Sequence, residues 1–225
     1  MAGPPADTAA AHARIAALDL APDRPLIVSD ADEVLFVFMA AFEGFLDRRG
    51  HYFDWMSFAL DGNVRSRADD TALPRAAVAG LLETFFEHHT ASLEPVPGAA
   101  AALAGLSARA QILVLSNIPA AQAPIRRAAL SRHGMDYPLI ANTGPKGPVV
   151  EALAEAVTAP VFFLDDGPRH HASVARHAPR VRRLHLIADT RLADLLGPVA
   201  EAHHAVRHWP EARALIESEL AAAGY

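Results

Sequence analysis

The sequence predicts an α/β fold on a parallel sheet, because four short apolar runs each end in small polar or acidic residues and alternate with stretches of helical periodicity. Continuous apolar runs belong to strands buried on both faces, so helices are expected on both sides of a Rossmann-like core. One interval, residues 37–95, is too long for a single crossover helix and predicts a small, mainly helical cap above the carboxyl edge of the sheet.

Taken in order, residues 8–18 fit a short helix leading to a first strand at 26–29, which runs into Asp30-Ala31-Asp32. Helical pattern resumes at Phe36 and continues to about Arg49, and a second helix runs from Pro74, suited to a first helical position, to His89. Between them Asp61-Gly62 is a hairpin-type signal within 53–66. Pro95-Val96-Pro97-Gly98 reads as a return linker, followed by a helix at 99–108 and a strand from Gln111 ending in Ser116-Asn117. Further helices are expected near 120–133, 148–158 and 170–178, and a last one at 210–222. Strands are expected at the run 137–142, which leads to Lys146, at 161–164, which ends in Asp165-Asp166, and at 184–187. Short connections imply right-handed crossovers, with residues 1–36 and 96–225 as the core domain and 37–95 as the cap.

Composition narrows the function. At 225 residues and 52% apolar the chain is long enough for one core with an insertion. A formal charge of −6 argues against nucleic acid or an anionic membrane as partner, and the pairs Arg48-Arg49, Arg126-Arg127 and Arg182-Arg183 read as solvated faces. Cysteine is absent, which excludes disulfides and thiolate metal sites. The longest apolar stretch, Val34 to Phe42, falls far short of the roughly 20 residues that span a bilayer. Residues 1–22 lack a secretory pattern, so a cytoplasmic protein is expected. No internal repeat is evident.

Function in such sheets collects beyond the carboxyl ends of the strands, so the four polar run ends should meet there. Asp30, Asp32, Asp165 and Asp166 would then crowd a small volume, each close pair repelling by roughly 4 kcal/mol at an effective dielectric near 20. A cation must offset this, and an oxygen-only site partly open to solvent suits Mg²⁺. Lys146 is the only lysine among 20 basic Lys and Arg residues, and a compact ammonium fits a crowded anionic site where a planar guanidinium does not. Ser116 offers a hydroxyl to a phosphoryl oxygen, and Asn117 is a phosphate-binding candidate that could equally support the turn or cap the next helix. Together these groups describe a phosphoryl-transfer site.

The chain here resembles the haloacid dehalogenase-like superfamily of phosphohydrolases. The resemblance rests on four segments in order: Ile27-Val28-Ser29-Asp30-Ala31-Asp32-Glu33-Val34-Leu35, Leu113-Val114-Leu115-Ser116-Asn117, Lys146, and Phe163-Leu164-Asp165-Asp166. It implies Asp30 as nucleophile and Asp32 as general acid/base, with Ser116 binding the phosphoryl group and Lys146 steadying both. It also implies that Asp165 and Asp166 hold Mg²⁺ with Asp30 and the backbone carbonyl of Asp32. The implied activity is removal of phosphate from a small phosphorylated metabolite through an aspartyl-phosphate. Asp32 points away from the dehalogenase branch, and the absence of lysine in 37–95 excludes the phosphonate-cleaving branch, whose Schiff base needs one. A sugar-phosphate mutase on the same core, and a binding protein that has lost turnover, are the alternatives. Members commonly carry Gly directly after the second Asp; this chain has Glu33, which adds a carboxylate near the cleft entrance and alters the turn into the cap.

Asn63, Arg65 and Arg67 lie just past the Asp61-Gly62 turn, where a loop tip could reach down to the cleft, although such residues are more often solvated. Trp55 and Phe58 could stack on a substrate, although lid aromatics more often form its core. The pairs His88-His89, His170-His171 and His203-His204 do not suit zinc, because adjacent helical residues diverge by about 100°. His170 and His171 lie closest to the expected cleft mouth.

Overall fold

The computed structural model describes residue 15 and residues 18–225, so most of the helix expected at 8–18 lies outside the described residues. The elements run β1 (Leu26–Ser29), α1 (Phe38–Asp47), β2 (His51–Phe53), β3 (Val64–Ser66), α2 (Arg75–His89), α3 (Ala99–Ser107), β4 (Gln111–Ser116) and α4 (Ala123–Arg132). They continue with β5 (Leu139–Ala141), α5 (Gly147–Ala156), β6 (Val161–Asp165), α6 (Pro168–His177), β7 (Arg182–Leu186), α7 (Thr190–Leu196), β8 (His204–Val206) and α8 (Trp209–Ala222). Six strands form one sheet in the order β5-β4-β1-β6-β7-β8, and every neighbouring pair is parallel.

The continuous apolar runs divide by alternation between two cores. Leu26 and Val28, with Leu113, Leu115 and Phe163, face Val150 and Leu153 of α5 and Val174 of α6. Ile27, with Ile112, Val114, Phe162 and Leu164, faces Leu103 and Leu106 of α3, Leu130 of α4 and Ile216 and Leu220 of α8. Helices therefore cover both faces, as two-sided burial requires. Trp209 is fully buried and its indole N–H donates to the Val34 carbonyl at 2.7 Å, which ties α8 to the loop after β1.

Between β1 and α3 the chain makes the insertion of α1, β2, β3 and α2. Its two linkers run side by side next to β1: Val37 N–H donates to Glu94 O at 2.9 Å and Val96 N–H to Leu35 O at 2.8 Å. Its helices meet through Phe85, whose ring stands edge-on to Phe38, Phe42 and Phe45 at 5.2–5.4 Å. The first helix starts at Phe38 rather than Phe36, because Leu35 and Phe36 both donate to Ala31 O at 2.8 Å in a tight turn. A hairpin does form, β2 pairing antiparallel with β3, but its connection spans 54–63 rather than a two-residue turn at Asp61-Gly62.

The last core strand and α7 are additions to the expected elements. Strand β8 contributes only Val206 to the core, too short a pattern for periodicity to register. Helix α7 carries readable punctuation: Asp189 caps it by accepting from Arg191 N–H, and Gly197 ends it at φ 67°. Two of the three arginine pairs also depart from a solvated face. Arg126 is fully buried, and Arg183 is buried with its guanidinium on the carbonyls of Val181 and Glu201.

Candidate active site

Strand β1 delivers Asp30 one residue beyond its end, still paired to the sheet through Asp30 N–H and Leu164 O at 2.8 Å. Strand β6 delivers Asp165 and Asp166 beside it, and one carboxylate oxygen from each of the three lies within 4.8 Å of the others. Lys146, the residue before α5, is fully buried with its ammonium 2.7 Å from Asp30 Oδ1 and 2.7 Å from Asp165 Oδ2. Ser116 closes β4, fully buried, with a hydroxyl that has no hydrogen-bond partner among the described residues. An orphaned buried hydroxyl at a strand end is a ready donor for an anionic ligand.

The loop carrying Lys146 is braced from two sides. Asn117 Nδ2 donates to Gly144 O at 2.8 Å, Asn142 Nδ2 donates to Asn117 Oδ1 at 2.8 Å, and Asn142 N–H donates to Ser116 O at 2.8 Å. Asn117 thus spends its amide on the turn, the structural alternative considered for it. Gly147 lets α5 approach α6: its N–H donates to Ser173 Oγ at 3.1 Å, and a Cβ there would lie 2.6 Å from the Ser173 carbonyl oxygen.

Three carboxylates against one ammonium leave two uncompensated negative charges if all are ionised. Burial pushes Asp30 up to about 7, opposed by the Lys146 ammonium and reinforced by Asp165 and Asp32. Asp166 is raised by burial and by the charges of Asp165 and Asp30. Burial also opposes ionisation of Asp165, yet Lys146 and the nearby imidazoles hold it below the usual carboxylate range. Lys146 stays charged despite burial, because Asp165 and Asp30 raise it. An all-oxygen, over-negative group of this kind fits a hard divalent cation.

Asp32 is placed differently from its neighbours. Its carboxylate is gripped by both Nη atoms of Arg126, at 2.8 and 3.1 Å, and does not join the group of three. Arg126 was hidden in a pair that reads as surface, although Arg126, Ala129 and Leu130 share i, i+3, i+4 spacing on the buried face of α4. His171 and His185 were also missed as supports: their Nε2 atoms meet the backbone oxygens of Asp165 at 2.9 Å and Asp166 at 3.0 Å. Since a carbonyl only accepts, each Nε2 carries the proton there, and burial keeps both rings below the usual histidine value.

Glu33 does not stand at the cleft entrance. It adopts φ 58°, the left-handed conformation a glycine would take, and its side chain is only 2% exposed. Its Oε1 accepts from Met39 N–H at 2.6 Å and its Oε2 from Asp189 N–H at 2.8 Å, so it joins the first turn of α1 to the loop after β7. The insertion residues suspected of reaching the cleft are occupied within the insertion. Asn63 donates to Ser57 and Ala59, Arg65 pairs with Asp70, and Arg67 pairs with Asp47. Trp55 packs against Phe53 and donates to Glu43, and Phe58 packs on the core.

No family profile matches this sequence, and no curated protein matches it. Solved structures do. A haloacid dehalogenase family hydrolase from Deinococcus radiodurans R1, with bound phosphate and sodium, is 18% identical with a TM-score of 0.59, covering 89% of this chain and 98% of its own. A conserved haloacid dehalogenase-like protein of unknown function from Agrobacterium tumefaciens is 16% identical with a TM-score of 0.58, covering 86% and 98%. CbbY of Rhodobacter sphaeroides, as a mutant in complex with xylulose 1,5-bisphosphate, is 15% identical with a TM-score of 0.55, covering 84% and 96%. The chain has the haloacid dehalogenase-like fold. Among the described residues no helix is long and apolar enough to cross a membrane.

Proposed function

We propose that the protein is a Mg²⁺-dependent phosphohydrolase acting on a small phosphorylated metabolite in the cytoplasm. The observation that carries this reading is the buried ammonium of Lys146 set 2.7 Å from both Asp30 and Asp165, with Asp166 in the same group. Asp30 is the nucleophile: its oxygen bonds to phosphorus as the ester P–O bond breaks, and water later cleaves the acyl phosphate. Ser116 and Lys146 hold the phosphoryl oxygens, and Asp32 gives the leaving oxygen a proton and takes one from the water. Mg²⁺, held by Asp30, Asp165, Asp166 and the Asp32 carbonyl, would supply charge neutralisation at the phosphoryl group. Residues 37–95 act as a cap domain that selects the organic part of the substrate. A bound phosphate in one structural neighbour and a sugar bisphosphate in another agree with that substrate class.

Release of phosphate from 4-nitrophenyl phosphate and a panel of metabolite monoesters, with and without Mg²⁺, tests the reading. Asp30→Asn should abolish it. No release above that variant across the panel would favour a binding protein, and phosphate retained in an isomeric sugar phosphate would favour a mutase.

A further inference from the structure

We propose that Arg126 is a positioning residue for the reaction, acting through Asp32; this rests on the phosphohydrolase reading above. Its guanidinium is fully buried, and its hydrogen bonds among the described residues are the two to Asp32, at 2.8 and 3.1 Å. Nε has no hydrogen-bond partner among the described residues. The guanidinium is flanked by aromatic rings: Phe36 of the turn after β1 lies 5.2 Å away and Phe86 of the insertion helix α2 lies 5.9 Å away. A chain gains little stability from such a pair, because desolvation of the ions offsets their attraction and an apolar replacement often serves as well. What the fork does supply is orientation, since two parallel bonds fix the plane of a carboxylate in a way that one point charge does not.

The loop itself needs this. Its backbone is fixed by the turn on Ala31 O and by Glu33, but neither contact touches the Asp32 side chain, whose hydrogen bonds among the described residues are the two from Arg126. Each carboxylate oxygen keeps a second lone pair, and 21% of the side chain stays accessible, so the grip orients Asp32 without sealing it. Helix α4 thereby reaches the reaction from outside the four polar strand ends, and Phe86 places one wall of the grip on the insertion.

The experiment compares Arg126→Met, Arg126→Lys, Asp32→Asn and the double variant Asp32→Asn/Arg126→Met on phosphate monoesters of rising leaving-group basicity, from 4-nitrophenyl to alkyl. Because Asp32 protonates the leaving oxygen in the first step, Arg126→Met should lower kcat/KM on alkyl esters about 10- to 100-fold and far less on the nitrophenyl ester, while hydrolysis of the shared aspartyl-phosphate slows alike for all of them. The double variant should be no slower than Asp32→Asn alone, and Lys should rescue only in part. Equal loss of kcat/KM on every ester, or losses of kcat/KM that multiply in the double variant, would overturn the proposal. If Arg126→Met fails to fold, Arg126→Lys, which keeps the charge, carries the same comparisons with its own double variant. A wild type that releases no phosphate from any ester defeats the parent reading and this one together, whereas an active wild type with an indifferent Arg126 defeats this one alone.

Discussion

Residue by residue, the tightest demand falls on Lys146, an ammonium with no exposure and two carboxylate oxygens at 2.7 Å. A guanidinium is larger and planar, so it cannot occupy this space and also aim one charge between Asp30 and Asp165. Lys146→Arg should fold and yet lose about 100-fold or more in kcat, the scale of removing one preorganised electrostatic contact; near-normal turnover would show that the lone lysine has no special role. Glu33 makes a different kind of demand. Burial pushes it up to about 7 from 4.5, against the two N–H donors from Met39 and Asp189. The folded state therefore binds the extra proton between these values, so Glu33 stabilises fully below 4.5 and that contribution is lost as pH rises through about 7. Relative to Glu33→Gln, which cannot titrate, the wild type should lose about 3 kcal/mol between pH 4.5 and 8. Denaturant unfolding of both proteins across that range reads it directly, and parallel curves would mean that Glu33 binds its proton equally in the folded and unfolded states.

At the scale of elements, the site depends on how closely α5 and α6 pack. Gly147 permits that approach, since any Cβ would press into Ser173. Gly147→Ala should destabilise the fold by about 1–3 kcal/mol through overpacking and lower kcat as well, because moving α5 draws Lys146 from Asp165. An unchanged melting temperature would show that the two helices yield freely. The elements most legible in the sequence were the two-sided strands, whose burial forces unbroken apolar runs such as Leu26 to Val28 and Phe162 to Leu164. Strand β8 escaped because an edge strand of three residues with one buried side chain has no period. Arg126 escaped for the opposite reason. Arg126 shares its buried helix face with Ala129 and Leu130, and its polar type masks that apolar spacing.

For the whole molecule, the acidic group exists only because folding gathers Asp30, Lys146 and Asp165 from separate stretches of chain. Their order along the chain and their places at strand ends made the grouping readable, whereas the substrate-facing surface of the insertion was not, since Asn63, Arg65 and Arg67 all bond to local partners within the insertion. Gathering like charges weakens the fold, and a cation that binds only the gathered state must strengthen it. At 100 times its dissociation constant Mg²⁺ would add about 2.7 kcal/mol, or roughly 5–10 °C in melting temperature for a chain of this size. The shift should shrink at pH 5, where Asp30, raised to about 7, holds a proton that the cation must displace. Asp165→Asn, which removes a carboxylate from the group of three, should abolish it. Thermal unfolding with MgCl₂, against NaCl at matched ionic strength, separates binding from screening: equal shifts in the two salts would mean that the carboxylates hold no divalent ion.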